Sequence, residues 1–291
     1  MSTNELLKKV RKIEIKTKGL SSHLFAGEYH TAFKGKGMAF SEVREYQAGD
    51  DIRTIDWNVT ARYNNLFVKI FEEEREMTVI LLIDISSSGR FGTKNKTKKE
   101  VATELAAVLA FSAIQNNDKV GVIFFTDIIE KFIPPKKGKS HILRIIRELL
   151  AFKPKNNGTN LTVALEYFTS IIKKKSVCFI LSDFLDEDFT QPLQIANKKH
   201  DIIAVKIHDK REEKLPNVGL IKMLDAERQN IIWIDSSSKK IRMNFNKVYK
   251  KRDNTLKQNF LICGVDHIDI NTEQSYIKPL ISFFKQRERR R

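Results

Sequence analysis

The chain has 291 residues, 41% of them hydrophobic and 30% charged, with a formal net charge of +16. That length and apolar share suit one large domain, or one domain with an extension, and exclude disorder throughout. The basic balance admits nucleic acid, a membrane surface or an acidic protein as partner, yet the charges are spread along the chain as a solvated surface spreads them.

The amino terminus, MSTNELLKKVRKIEIKTK, lacks the apolar centre of a signal peptide, and no run in the chain approaches a membrane span. Cys178 and Cys263 offer no disulfide framework and fit a reducing compartment, so a cytoplasmic protein is expected. Residues 4–18 alternate lysine with Leu, Val and Ile at helical spacing and predict a short amphipathic helix. HLFAGEYHTAFKGKGMAF follows as loops with a short strand. Gly35 and Gly37 fail as a dinucleotide loop, because the third glycine of that fingerprint falls on Phe40. In Ser41–Arg62, Arg44, Asp50, Asp51, Arg53, Asp56 and Arg62 stand close together beside Trp57. Arginine forks grip carboxylates in fixed geometry, so this segment reads as an ion network clamping it onto the main domain, with a binding surface as the alternative. Leu66–Phe71 alternates like a strand.

Val79–Gly89, VILLIDISSSG, organises the rest. Its apolar run is too short for a membrane and suits a strand buried on both faces. Asp84, Ser86 and Ser88 then alternate at the strand's carboxyl end, where open α/β sheets bind ligands. Oxygen donors on a tight loop suit a hard divalent cation; the competing reading is a helix N-cap. A long helix with Val101, Leu105, Val108, Leu109 and Ser112 on one face follows a basic loop. Lys119–Thr126 reads as a second buried strand, and 130–133 as a short edge strand stopped by Pro134 and Pro135. Gly138-Lys139-Ser140 mimics a phosphate loop, but its opening glycine would have to be Ile133, so Ser140 reads as a helix cap. Thr159 sits at the tip of a polar loop. Ser176–Ser182 is another buried strand, and it too ends in an acid, Asp183. Further on come a strand at 201–207, a β-hairpin over 218–235, a basic helix from about 239, a strand at 266–270 and a helix at 276–284. Alternating strands and helices predict a doubly wound, mostly parallel α/β sheet.

Asp84, Ser86 and Ser88, then Thr159, then Asp183, each at a predicted strand end or loop, resemble in their order a von Willebrand factor A-type domain. That resemblance implies a metal-ion-dependent adhesion site built from these five residues, with Mg²⁺, or alternatively Mn²⁺, as the ion. A second resemblance spans most of the chain. Arg44-Glu45-Tyr46, Gly49-Asp50-Asp51, Arg53, Ile55-Asp56-Trp57-Asn58, Ala61-Arg62 and Val68-Lys69, with Leu215-Pro216-Asn217-Val218-Gly219 and Phe283-Phe284, resemble the bacterial family catalogued as domain of unknown function fifty-eight. Gly89 departs from the methionine often found after such a serine loop. Membership implies an adaptor, often working beside a MoxR-type AAA+ ATPase in protein maturation, complex assembly or stress response.

Two carboxylates and three hydroxyls leave a divalent ion electropositive, with a position open to a partner's Asp or Glu. No G-x-S-x-G elbow exists and the six histidines are scattered, so a non-enzymatic interaction module is expected; nucleic-acid binding and a metal-dependent hydrolase are the alternatives. The expected layout is a β-containing lobe over 1–75, the α/β domain over 76–288 with the hairpin inserted, and a basic tail at 289–291.

Overall fold

The computed structural model describes residues 8, 10–14, 38–63, 65–73, 76–92, 96–186, 188–224 and 231–290. At its centre lies a six-stranded sheet: β3 (Thr78–Asp84), β4 (Lys119–Phe125), β5 (Ile129–Lys136), β6 (Val177–Ser182), β7 (Asp201–His208) and β10 (Asp266–Asn271). The order across the sheet is β10-β7-β6-β3-β4-β5. Every pairing is parallel except that of β5, which runs antiparallel to β4. The residues of Val79–Ile83 are all completely buried. A parallel strand covered on both faces has no polar side to present, hence the unbroken apolar run.

Alternate residues of these strands feed two cores. Val79, Leu81 and Ile83 pack with residues of α2 (Lys98–Gln115), α3 (Lys139–Ala151) and α7 (Ile277–Arg289). Ile80 and Leu82 pack with residues of α4 (Leu161–Ile171), α5 (Thr190–Lys199) and α6 (Lys239–Cys263). The doubly wound, mostly parallel sheet read from the sequence is thus the fold. The chain leaves β3 toward β4 and β5, then returns to the other side of β3 through β6, so the topological switch lies between β3 and β6. Asp84 ends β3 and Asp183 follows β6, one on each side of that crevice.

Outside the sheet, β1 (Met38–Glu45) and β2 (Phe67–Glu73) form an antiparallel pair, with α1 (Trp57–Tyr63) between them in the chain. Ile55 bridges to Val68, and both are buried. Residues 10–14 are helical, and Val10 and Ile13 pack into the first core, so the described part of the expected amphipathic helix belongs to the main body. The loops expected over 23–37 lie outside the described residues. β8 (Leu220–Leu224) and β9 (Ile231–Asp235) make the hairpin; its tip at 225–230 also lies outside them.

Three readings are corrected. The edge strand does not stop at Pro134 but runs through both prolines to Lys136. An outermost strand needs no N–H on its free side, and the ladder with β4 shifts register between Val120 and Val122 to accommodate the rings. Ser140 is not the cap of α3: Gly138, at φ +100, precedes a helix that begins at Lys139. The last helix continues past Phe284 to Arg289, because Arg287 pairs with Asp201 and Asp266 and so has a structural reason to stay helical.

Candidate functional site

The loop after β3 turns tightly, and its shape is set by Asp84. Its Oδ1 accepts from the Ser86 backbone N–H at 2.9 Å. Ser86 and Ser88 point their hydroxyls at each other, 2.9 Å apart, and Ser87–Arg90 closes one turn of 3₁₀ helix. The serines do not cap the following helix. That task falls to Thr97, whose hydroxyl accepts from Glu100 N while the Glu100 carboxylate accepts from Thr97 N.

The other strand-end loops are stitched to this one. Ser87 Oγ donates to Asn157 Oδ1 at 2.6 Å, and Ser87 N donates to the Asn157 carbonyl. Thr159 Oγ1 donates to Asp84 Oδ2 at 3.4 Å. Ser182 Oγ donates to the same carboxylate oxygen at 2.7 Å and accepts from Phe184 N. Phe184 adopts the left-handed region at φ +54, which bends the chain sharply just past Asp183. Leu161 N donates to Asp186 Oδ2 at 2.7 Å, tying the second loop to the third. Asp84, Ser86, Ser88 and Thr159 therefore meet at the carboxyl edge of the sheet, with Asp183 beyond them.

Asp84 keeps a window to solvent, but the protein packed around it and the like charge of Asp183 push its carboxyl up to about 6. Asp183 has a different neighbour. Its Oδ2 accepts from Lys98 Nζ at 2.7 Å, with both side chains only 4% exposed, and its Oδ1 accepts from Leu185 N at 3.3 Å. Lys98 Nζ also donates to Glu212 Oε1 at 2.5 Å. Burial alone would lower the ammonium's pKa; the charges of Asp183 and Glu212 overcome it and raise it. Lys98 and Glu212 were not singled out in the sequence. The signal was there for the lysine: it lies three and seven residues before Val101 and Leu105, on the apolar stripe of α2.

A hard divalent ion asks for oxygen donors. Asp84, Ser86, Ser88 and Thr159 supply them in one cluster, and a carboxylate raised by burial and by a like charge is one that a cation relieves. These four fit such an ion. Asp183 fits it only in part, since an ammonium already claims one of its oxygens. Among the described residues no group of three or more His, Cys, Asp or Glu is placed to hold a metal, so any ion site here depends on the hydroxyls.

The amino-terminal motif closes on itself. Arg44 grips Asp50 with both terminal nitrogens, at 2.8 and 2.7 Å. Arg53 Nε reaches Asp51 at 3.2 Å. Asp56 caps α1 through Asn58 N and Val59 N and faces Lys69 at 3.5 Å. Among the described residues these pairs brace the turn between β1 and β2, and none clamps that unit to the main sheet, because each acid finds its base within a few residues or on the facing strand. Trp57 is 65% exposed and Arg62 is also exposed.

No helix among the described residues is long and apolar enough to cross a membrane. A family model described as "Protein of unknown function DUF58" matches residues 42–255. The uncharacterized protein Rv1480 of Mycobacterium tuberculosis (strain ATCC 25618 / H37Rv) is 25% identical over 283 residues, covering 96% of this chain and 89% of that protein. The uncharacterized protein YeaD of Bacillus subtilis (strain 168) is 26% identical over 188 residues, 64% of this chain and 45% of that protein. Among solved structures, the conserved hypothetical protein BatB from Bacteroides thetaiotaomicron has a TM-score of 0.48 at 15% identity, covering 73% of this chain and 99% of that one. The SpRpn10 VWA domain has a TM-score of 0.38 at 10% identity, covering 72% and 94%. With the family model spanning most of its length, this chain belongs to the DUF58 family.

Proposed function

We propose that this protein is a metal-ion-dependent protein-interaction module, an adaptor that grips an acidic side chain of its partner through a shared divalent ion. The observation that carries the reading is the meeting of hydroxyls from three chain segments around one half-buried carboxylate, Thr159 and Ser182 on Asp84 Oδ2, with Ser86 and Ser88 beside it. Asp84, Ser86, Ser88 and Thr159 would hold Mg²⁺ or Mn²⁺, with Asp183 as a nearby counter-charge. When bound, the ion supplies a hard, electropositive coordination position for an Asp or Glu from outside. The chain's own groups do the rest: the loop bonds of Ser87 and Asp186 hold the donors in register, and the packing around Asp84 leaves it only a window to solvent. The resemblance read in the sequence makes a cytoplasmic MoxR-type AAA+ ATPase, or its client, the partner of this proposal.

The test is capture of such an ATPase by the full chain on a biosensor surface. Binding should be lost in chelator, restored by Mg²⁺ or Mn²⁺, and absent in Asp84→Ala. Added salt should slow association more than it speeds dissociation, as steering by a basic surface requires. A complex that forms equally well in chelator would sink the adhesion reading.

A further inference from the structure

Lys98 stands where helix electrostatics would not put it. It is the first residue of α2, at the positive end of the helix dipole, where acids are favoured and bases are not. Its side chain is 4% exposed, and its ammonium pairs with two carboxylates and lies 5.9 Å from the centre of the Phe91 ring. The platform that holds it is built from several elements. Glu212 Oε2 accepts from Asp209 N at 3.0 Å. Asp209, itself fully buried, accepts from Arg211 N and from Thr272 Oγ1 at 2.7 Å. The cluster thus contains three acids, Asp84, Asp183 and Glu212, and the ammonium of Lys98 is fixed against two of them.

We propose that Lys98 is a tethered competitor of the divalent ion, holding Asp183 with its own charge and keeping the site's affinity for the ion low. This rests on the metal-dependent reading above and adds to it how the site is regulated. An ion drawn to Asp84 and the hydroxyls must share Asp183 with a positive charge that cannot leave, because Glu212 holds it from behind. Two cations in one poorly hydrated cluster repel each other strongly. The site therefore does not load and stay loaded. It loads when a partner brings one more carboxylate, so that ion and acidic partner bind as a pair.

The experiment is titration of Mn²⁺ followed by its electron paramagnetic resonance signal, on the full chain as wild type, Lys98→Met, Glu212→Gln and Asp84→Ala. Removing the ammonium should tighten Mn²⁺ binding by at least about tenfold, on the scale of a nearby unit charge in a partly buried site. Glu212→Gln takes away a negative charge and leaves Lys98 resting on Asp183 alone, so Mn²⁺ should bind several-fold more weakly. Asp84→Ala should bind none at this site. Circular dichroism establishes that each variant is folded. If Lys98→Met does not fold, Glu212→Gln, whose side chain is partly exposed, decides alone. Asp84-dependent Mn²⁺ binding that responds to neither change overturns the role of Lys98 and leaves the metal site standing. No Asp84-dependent binding in wild type or in Lys98→Met overturns the metal reading, and this proposal with it.

Discussion

Asp84, half-buried, and Asp118, fully buried, are two acids whose positions dictate opposite behaviours. Asp84 has hydroxyl and N–H donors around it and Asp183 beyond, so Asp84→Ala should abolish any Mg²⁺-dependent rise in melting temperature while leaving the apo fold intact, as thermal scans with and without Mg²⁺ would show. Asp118 is fully buried beside the start of β4. Its Oδ1 accepts from Met77 N at 2.9 Å, its Oδ2 has no hydrogen-bond partner among the described residues, and burial pushes its carboxyl up to about 7. In the unfolded chain the same group ionises near the usual value of about 4. Between those two values the folded state holds the extra proton, so stability should fall as pH rises through that window. Asp118→Asn should flatten that fall, measured by urea unfolding at a series of pH values. At this scale the sequence could mark Asp84, Ser86 and Ser88, which follow one another directly after a buried run, whereas the bond from Thr159 to Asp84 joins residues 75 apart in the chain. It marked Lys98 only by its helical spacing from Val101 and Leu105 and hid Glu212, since their pairing joins residues 114 apart in the chain.

The elements were legible wherever one period dominated. β3, β4 and β6 are apolar runs, β7 is one broken only by Lys206, and α3 carries its apolar residues on one side, so their types and places could be read directly. Ends were less legible, since they depend on partners. α2 starts at Lys98 because Thr97 and Glu100 form a capping box, and Thr97 lay in the stretch read as a basic loop. Thr97→Ala should cost about 1 kcal/mol of unfolding free energy, measured by chemical denaturation. β5 passes its prolines because β4 makes room: a side chain at Gly121 would come within 2.9 Å of the Pro135 ring and 3.0 Å of Ile80. Gly121→Ala should therefore cost about 1–3 kcal/mol by the same measurement, the range of an overpacked core.

At the scale of the whole molecule, the question is what the +16 charge does. The basic helix α6 is the natural place for nucleic acid, but part of its charge is already committed. Arg242 donates to the Ser236 and Ser237 carbonyls, Arg252 to the Leu185 carbonyl, and Lys257 pairs with Asp253 and Asp269. Its aromatics are not laid out for bases: Phe245 and Tyr249 are half-buried, and Tyr249 lies under the Lys206 ammonium. DNA or RNA should bind weakly and come off as salt approaches the physiological level, in a filter-binding or anisotropy titration. The sheet itself carries a further consequence at its β5 border. Pro134 and Pro135 have no N–H to offer, so another strand arriving there finds gaps in the ladder it would have to form. That border should therefore resist growing edge to edge into fibres. Replacing both prolines with valine should leave the fold standing and shorten the lag before thioflavin-positive aggregates appear.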